Sequence, residues 1–237
     1  MLSQVNHWLE ILGTGVDLLL LARVLMLRLS RLYLFITLAC LLTVFFDGVS
    51  LWLGTGSVEN FHVFLYSRFL WAVMYPLASW DVFEEVKGQI SKLRRLAIGR
   101  LVSGLFFAAM FSIIVFAFVD TGDANSEPSL GATIGIILWA GSSTASLAFL
   151  WTMDRAIHAQ NVIKPNNTSV WLIFYELSLA AEVLSCVVLL IPLKESNLSR
   201  GIELAFLLYS IAVTIWCMLR LRPSPANAES ASEKART

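Results

Sequence analysis

Seven long apolar segments constrain the fold of this 237-residue chain more than any other feature of its sequence. The segments comprise residues 8–27, 32–53, 61–83, 101–119, 131–153, 170–193 and 201–221. A helix needs about 20 predominantly apolar residues to cross a hydrocarbon core of ~30 Å. The segments lack the alternation of barrel strands, and a helix bonds its backbone groups within itself. The sequence therefore predicts an all-α, polytopic membrane protein in which residues 1–222 form a seven-helix transmembrane bundle.

The composition also favours a bilayer environment. Hydrophobic residues make up 57% of the chain and charged residues 14%, whereas soluble domains are about 25% charged. The 17 basic and 17 acidic residues balance, so net charge gives no reason to expect a nucleic-acid partner. Cys40, Cys186 and Cys217 show neither CxxC nor Cys/His spacing. We therefore expect no disulfide framework, no metal site and no cofactor.

Basic residues are distributed unequally between the two ends of the segments. One set of connections carries Arg23, Arg28, Arg31, Lys87, Lys92, Arg94, Arg95, Arg100, Arg155, Lys164, Arg220, Arg222, Lys234 and Arg236. The opposite set carries only Lys194 and Arg200. Because basic residues near span ends mark the cytoplasmic side, the N-terminus is expected outside and the C-terminus in the cytoplasm. The predicted location is the cell membrane, or the cytoplasmic membrane if the source is bacterial.

Two segments are expected to lie outside the bilayer core. Residues 84–98 follow the third span, where apolar residues recur every three or four positions and charged residues fill the other faces. This pattern predicts an amphipathic cytoplasmic extension of the third helix, which could lie on anionic lipid. Residues 223–237 consist of Pro, Ala, Ser and charged residues without apolar periodicity. They are predicted to form a disordered cytoplasmic tail.

Ionisable side chains within the spans are the first functional candidates. An Arg, Lys or Asp at a helix centre costs roughly 2.5 to 3.5 kcal/mol on insertion, so such a residue should have a partner. Asp47 in the second span and Arg68 in the third lie at similar depth on adjacent antiparallel helices. We expect them to form an ion pair that fixes helix register. The alternative is that they form a ligand or proton site.

Further polar residues define a candidate cavity. Asp17 and Glu182 fall near mid-membrane without a basic residue at that depth. Polar side chains also form stripes on the sixth and seventh helices. The candidate cavity residues are Asp17, Ser178, Glu182, Ser185, Glu203, Ser210 and Thr214. The alternative is that the hydroxyl groups bond to nearby carbonyl oxygens and the polar faces simply point into a dry bundle.

Close helix packing is predicted by small residues in the fifth span. Gly131 and Gly135 have the GxxxG spacing that permits close approach of two helices. Such a contact could lie within the chain or join it to a second copy or to another membrane protein. The spacing is common in apolar segments, so it predicts tight packing better than it predicts an oligomeric state.

Motifs of several functional classes are missing from the sequence. It contains no HExxH, no GxSxG and no phosphate-binding loop, and residues 201–221 lack the lysine that would bind retinal. We therefore interpret the chain as a non-catalytic membrane protein. It would be either a sensor or receptor-like bundle that binds a small ligand, or an accessory subunit of a membrane complex. The alternative is a secondary transporter or proton-coupled permease that uses the intramembrane carboxyl groups. An intramembrane enzyme using Ser142 or Ser143 is a second alternative.

Overall fold

The computed structural model describes residues 2–54, 57–86, 98–99, 101–106, 109–110, 130–159, 161, 164–190 and 197–223. Every regular element in these ranges is helical. The long helices are α1 (Leu2–Met26), α2 (Leu34–Leu53), α3 (Val58–Val86), α4 (Leu130–Ala159), α5 (Asn166–Leu190) and α6 (Asn197–Arg220), with a 3₁₀ turn at Leu29–Arg31. Residues 98–99, 101–106 and 109–110 are also helical. The prediction of an all-helical chain is confirmed for this part of the molecule.

Within the described residues, three stretches of helix are long and apolar enough to cross a membrane: Leu34–Leu53, Ile134–Ala159 and Asn166–Ser185. Several helices also extend beyond the predicted apolar segments, because the backbone hydrogen bonds of a helix continue where the side chains become polar. Helix α1, for example, begins at Leu2 rather than residue 8. Most of the predicted span at 101–119 and of the predicted extension at 84–98 lies outside the described residues, as does the tail beyond residue 223.

The six long helices of the described ranges form a ring in chain order. Each packs against the next, and α6 packs against α1 to close the ring, while α3 also contacts α5 across it. Large side chains fill the space between the helices, and the fully buried ones include Trp139, Trp171, Tyr33, Phe83 and Phe149. Aromatic residues contribute much of the buried area in such a core.

Local chemistry explains where α2 and α5 end or begin. Gly54 follows α2 with a φ of 81°, a backbone conformation that glycine adopts without a steric penalty, and its N–H bonds to the carbonyl oxygen of Ser50 at 3.1 Å. Pro165 precedes α5, where its missing N–H costs nothing, and its carbonyl oxygen accepts the N–H of Ser169 at 3.1 Å. These two residues fix the ends of helices that carry cavity residues.

Pro76 lies inside α3, which continues through it. Proline has no N–H, so the carbonyl oxygen four residues earlier, that of Ala72, loses its usual helical donor. The hydroxyl of Ser142 in α4 donates a hydrogen bond to this oxygen. The defect in α3 is therefore repaired by the neighbouring helix, which joins α3 to α4.

Gly135 is also used within the chain. A Cβ atom at this position would lie 2.9 Å from Cε2 of Phe69 in α3, so any side chain here would require the Phe69 ring to shift. One glycine of the GxxxG pair thus allows α4 to pack closely on α3. An oligomer formed through Gly131 and Gly135 stays a prediction.

Candidate functional site

A cavity of about 330 Å³ lies between α1, α2, α3, α5 and α6. We call it the central cavity. Its described lining includes four charged residues, Asp17, Asp47, Arg68 and Glu182, and six aromatic residues, Phe46, Phe64, Trp71, Tyr75, Phe174 and Tyr175. The lining runs from mid-bundle to Ser50 and Asn60, where α2 ends and α3 begins. We call this the cavity end of the bundle.

Most of the sequence-predicted polar residues line this cavity. The residues placed there are Asp17, Ser178, Glu182, Ser210 and Thr214, together with Asp47 and Arg68. Ser185 lies further along α5 and is outside the described lining. Glu203 belongs to α6, but its side chain is not among those described. Ser178 and Glu182 share one face of α5, and Ser210 and Thr214 share one face of α6, because helix positions four apart lie on the same side.

Arg68 is held in a fixed position at the cavity wall. Its guanidinium carbon lies 3.8 Å from the centre of the Phe64 ring and 3.9 Å from that of the Trp139 ring. Aromatic faces attract a cation, so the two rings stabilise this charge away from water. Its Nη1 atom is 3.9 Å from Oε2 of Glu182 in α5, and the side chain of Arg68 is 15% exposed. The aromatic contacts and this ion pair together orient the guanidinium group.

Glu182 is the acidic partner of Arg68 in this structure. Its Oε1 atom accepts a hydrogen bond from the Tyr75 hydroxyl at 2.9 Å. The three side chains therefore connect α3 and α5 across the cavity. The sequence predicted a pair between Arg68 and Asp47, because the two residues lie at similar depth on adjacent helices. The Asp47–Arg68 pair stays a prediction.

Asp17 and Asp47 form a second polar group. Their side chains line the same part of the cavity wall as Thr214 and interact electrostatically with each other. The aspartates also border a second cavity of about 200 Å³ between α1, α2 and α6, so they lie where the two cavities meet.

The opposite end of the bundle is closed by hydrogen bonds between helix ends. We call it the network end, where α1 ends, α2 begins and α3 ends. The hydroxyl groups of Tyr33 and Thr168 both donate to Oε2 of Glu85. These residues come from the start of α2, the start of α5 and the end of α3. Arg23 at the end of α1 donates to the carbonyl oxygen of Leu221 at 2.9 Å. These bonds join the ends of α2, α3 and α5 in one group and the ends of α1 and α6 in another.

Asp81 strengthens the same end. Its Oδ2 atom accepts the N–H groups of Phe35 at 2.6 Å and Ile36 at 3.0 Å, which are unpaired donors at the start of α2. Sequence reasoning missed both Asp81 and Glu85 as structural residues. The sequence offered two signals: an acidic residue late in α3, and a start of α2 without a capping side chain. Only the tertiary structure shows that this acid accepts the N–H groups at that helix start.

The two serines considered for catalysis both donate hydrogen bonds to backbone carbonyl oxygens. The hydroxyl of Ser142 is bound to Ala72, and that of Ser143 donates to the carbonyl oxygen of Trp139 at 2.9 Å. Within the described residues, no group of three or more His, Cys, Asp or Glu side chains is arranged to hold a metal ion. The central cavity is therefore the candidate functional site of this part of the chain.

Comparison with known proteins gives no family assignment. No protein-family model, curated protein or solved structure matches the chain. A helical fold does not by itself specify a function, so any functional conclusion rests on the side chains of the site.

Proposed function

We propose that the chain is a seven-span protein of the cell membrane whose role is to bind a small ligand in the central cavity, as a non-catalytic sensor or receptor-like bundle. The observation that carries this proposal is a cavity of about 330 Å³ lined by Asp17, Asp47, Arg68 and Glu182. Ligand pockets measure roughly 300 to 1,000 Å³ and combine apolar walls with a few placed polar groups. Both the size and the lining of the central cavity meet this description.

The cost of the charged residues supports the proposal. Each Arg or Asp within a span costs roughly 2.5 to 3.5 kcal/mol on insertion, and such residues usually mark functional sites. One ion pair between Arg68 and Glu182 would suffice to join α3 to α5. Asp17 and Asp47 add two further carboxyl groups at the wall of the same cavity. A cavity with this lining is better suited to a polar ligand than to a purely structural role.

The proposed orientation places the network end in the cytoplasm. Described basic residues near that end are Arg23, Arg28, Arg31, Arg155, Lys164, Arg220 and Arg222. An epitope inserted after Gly54 should then bind antibody on intact cells, whereas an epitope at the C-terminus should need permeabilised cells. The reverse pattern would show that the cavity end faces the cytoplasm.

Ligand binding can be tested with a variant that fills the cavity. Purified protein would be incubated with a metabolite extract and washed, and the retained molecules would be identified by mass spectrometry. Ser178→Phe should remove the retained molecule, because this residue lines the cavity. Leu184→Phe on the same helix, where Leu184 is 58% exposed, should retain it. If no molecule is enriched over the Ser178→Phe variant, the proposed function is wrong.

A secondary transporter is the second candidate. It is favoured by the meeting of two cavities at Asp17 and Asp47, together with hydrogen bonds that close the network end. Alternating access requires a site that opens to one side while the other side is closed. Proteoliposomes containing the protein should accumulate the retained molecule if it is a transporter. Binding without uptake would favour the sensor or receptor-like role.

A further inference from the structure

We propose that the ligand of the central cavity is a small organic cation, an alkylammonium ion whose charge lies at Asp17 and Asp47. This inference rests on the proposed ligand-binding function and specifies the chemical class of the ligand. It follows from three properties of the cavity: the balance of charge on its lining, the nature of its walls and its volume.

The charges that line the cavity do not balance. Its described lining contains three acidic residues but a single basic residue, Arg68. Arg68 lies next to Glu182, so these two charges offset each other. Asp17 and Asp47 lie in the same lining with no second basic residue to offset them, so ionisation of either carboxyl group leaves the cavity with a negative charge. A ligand with one positive charge would neutralise it.

The cavity walls suit an organic cation better than a metal ion. Six aromatic residues are among the lining residues, and aromatic faces attract ammonium groups, including quaternary ones. The molecule already uses this interaction at Arg68, whose guanidinium carbon lies 3.8 Å from the centre of the Phe64 ring. A sodium or calcium ion would instead require a close set of oxygen ligands.

The volume limits the size of the ligand. One water molecule occupies about 30 Å³ in the liquid, so the cavity of about 330 Å³ has room for a molecule of roughly ten non-hydrogen atoms. An alkylammonium ion with a short hydroxylated or apolar chain is of this size. Ser178, Ser210 and Thr214 would offer hydroxyl groups to its polar end.

The test uses thermal unfolding of the full-length protein in nanodiscs, followed by the fluorescence of its eight tryptophans. The probes are the chloride salts of tetramethylammonium, choline and ethanolamine. The controls are sodium chloride and dimethylbutanol, the neutral molecule in which carbon replaces the nitrogen of choline. At about ten times its dissociation constant, an ammonium probe should raise the unfolding midpoint by about 3 °C or more. Neither control should do so.

Variants locate the binding charge. Replacing both carboxyl groups, in Asp17→Asn/Asp47→Asn, should abolish the shift, because either acid alone would still carry a negative charge. Glu59→Gln, which removes an acid outside the described lining of the cavity, should leave the shift unchanged. The comparison of choline with dimethylbutanol uses the unaltered chain, so the inference can be judged even if the double variant does not fold. A shift that persists in a folded double variant would overturn the placement of the charge.

The remaining outcomes separate this inference from the proposed function. Equal shifts with choline and dimethylbutanol would overturn the cation inference but would support a binding cavity. Equal shifts with choline chloride and sodium chloride would also overturn it, because the effect would then be one of salt. If no ammonium probe causes a shift while the metabolite experiment still retains a molecule, only the cation inference is wrong.

Discussion

At the network end, a single side chain from α3 satisfies backbone N–H groups that α2 leaves unpaired at its start. The residue before α2, Tyr33, makes no side-chain cap bond, so the first N–H groups of the helix need another acceptor. Asp81 supplies it from α3, and it is only 7% exposed. A carboxylate at a helix N-terminus also interacts favourably with the helix dipole. Asp81 thus acts as a cap that is remote in sequence.

Replacing this cap should destabilise the protein. Asp81→Ala should lower the free energy of unfolding by about 1–2 kcal/mol, because two N–H groups lose their acceptor. Asp81→Asn keeps an oxygen at the same place but loses the charge, so its effect should be roughly half as large. Denaturant unfolding in mixed micelles would measure both changes. Equal stability of wild type and Asp81→Ala would show that the cap contributes nothing.

At the scale of helices, the contact between α3 and α4 depends on a repaired backbone defect. Pro76 leaves the carbonyl oxygen of Ala72 without its helical donor, and Ser142 supplies the missing hydrogen bond. Ser142 is 1% exposed, so water does not replace it. Ser143 is equally buried but donates within its own helix, to a carbonyl that the helix itself can satisfy. The two adjacent serines therefore form a matched pair.

A double-mutant cycle tests this repair. Ser142→Ala should cost about 1–3 kcal/mol, because it leaves a buried carbonyl oxygen unsatisfied, whereas Ser143→Ala should cost much less. When Pro76→Ala restores the backbone N–H, the cost of Ser142→Ala should fall. Unfolding midpoints of the single and double variants provide the measurement. The account of Pro76 would be wrong if Ser142→Ala costs the same in both backgrounds.

The sequence predicted the helices better than their partners. Apolar length located α2, α4 and α5, since a run of about 20 apolar residues has few other stable forms. It did not locate the helix ends, because the backbone ladder continues into polar residues, as at the start of α1. The caps were missed for a different reason. Asp81 lies 45 residues from Ile36 in sequence. A local sequence pattern cannot show which acidic residue accepts the N–H groups of which helix start.

For the whole molecule, the described polar contacts divide between two ends. The network end joins helix ends by hydrogen bonds, whereas the cavity end contains the space that Asp17, Asp47 and Glu182 border. Helical periodicity predicted that polar residues of α5 and α6 would share faces. It could not give the cavity's volume or the partner of Arg68, since both depend on how the ring of helices closes. Ligand entry is expected at the cavity end.

The most direct test of a ligand-accessible cavity is the reactivity of single cysteines in sealed vesicles. In a chain whose three native cysteines are replaced by alanine, Ser178→Cys would face the cavity, whereas Leu184→Cys on the same helix would face lipid. A membrane-impermeant thiol reagent reacts with the thiolate, which requires water. Ser178→Cys should react from the side of the N-terminus and much faster than Leu184→Cys. Equally slow labelling of both from either side would mean a dry bundle and would contradict the proposed function.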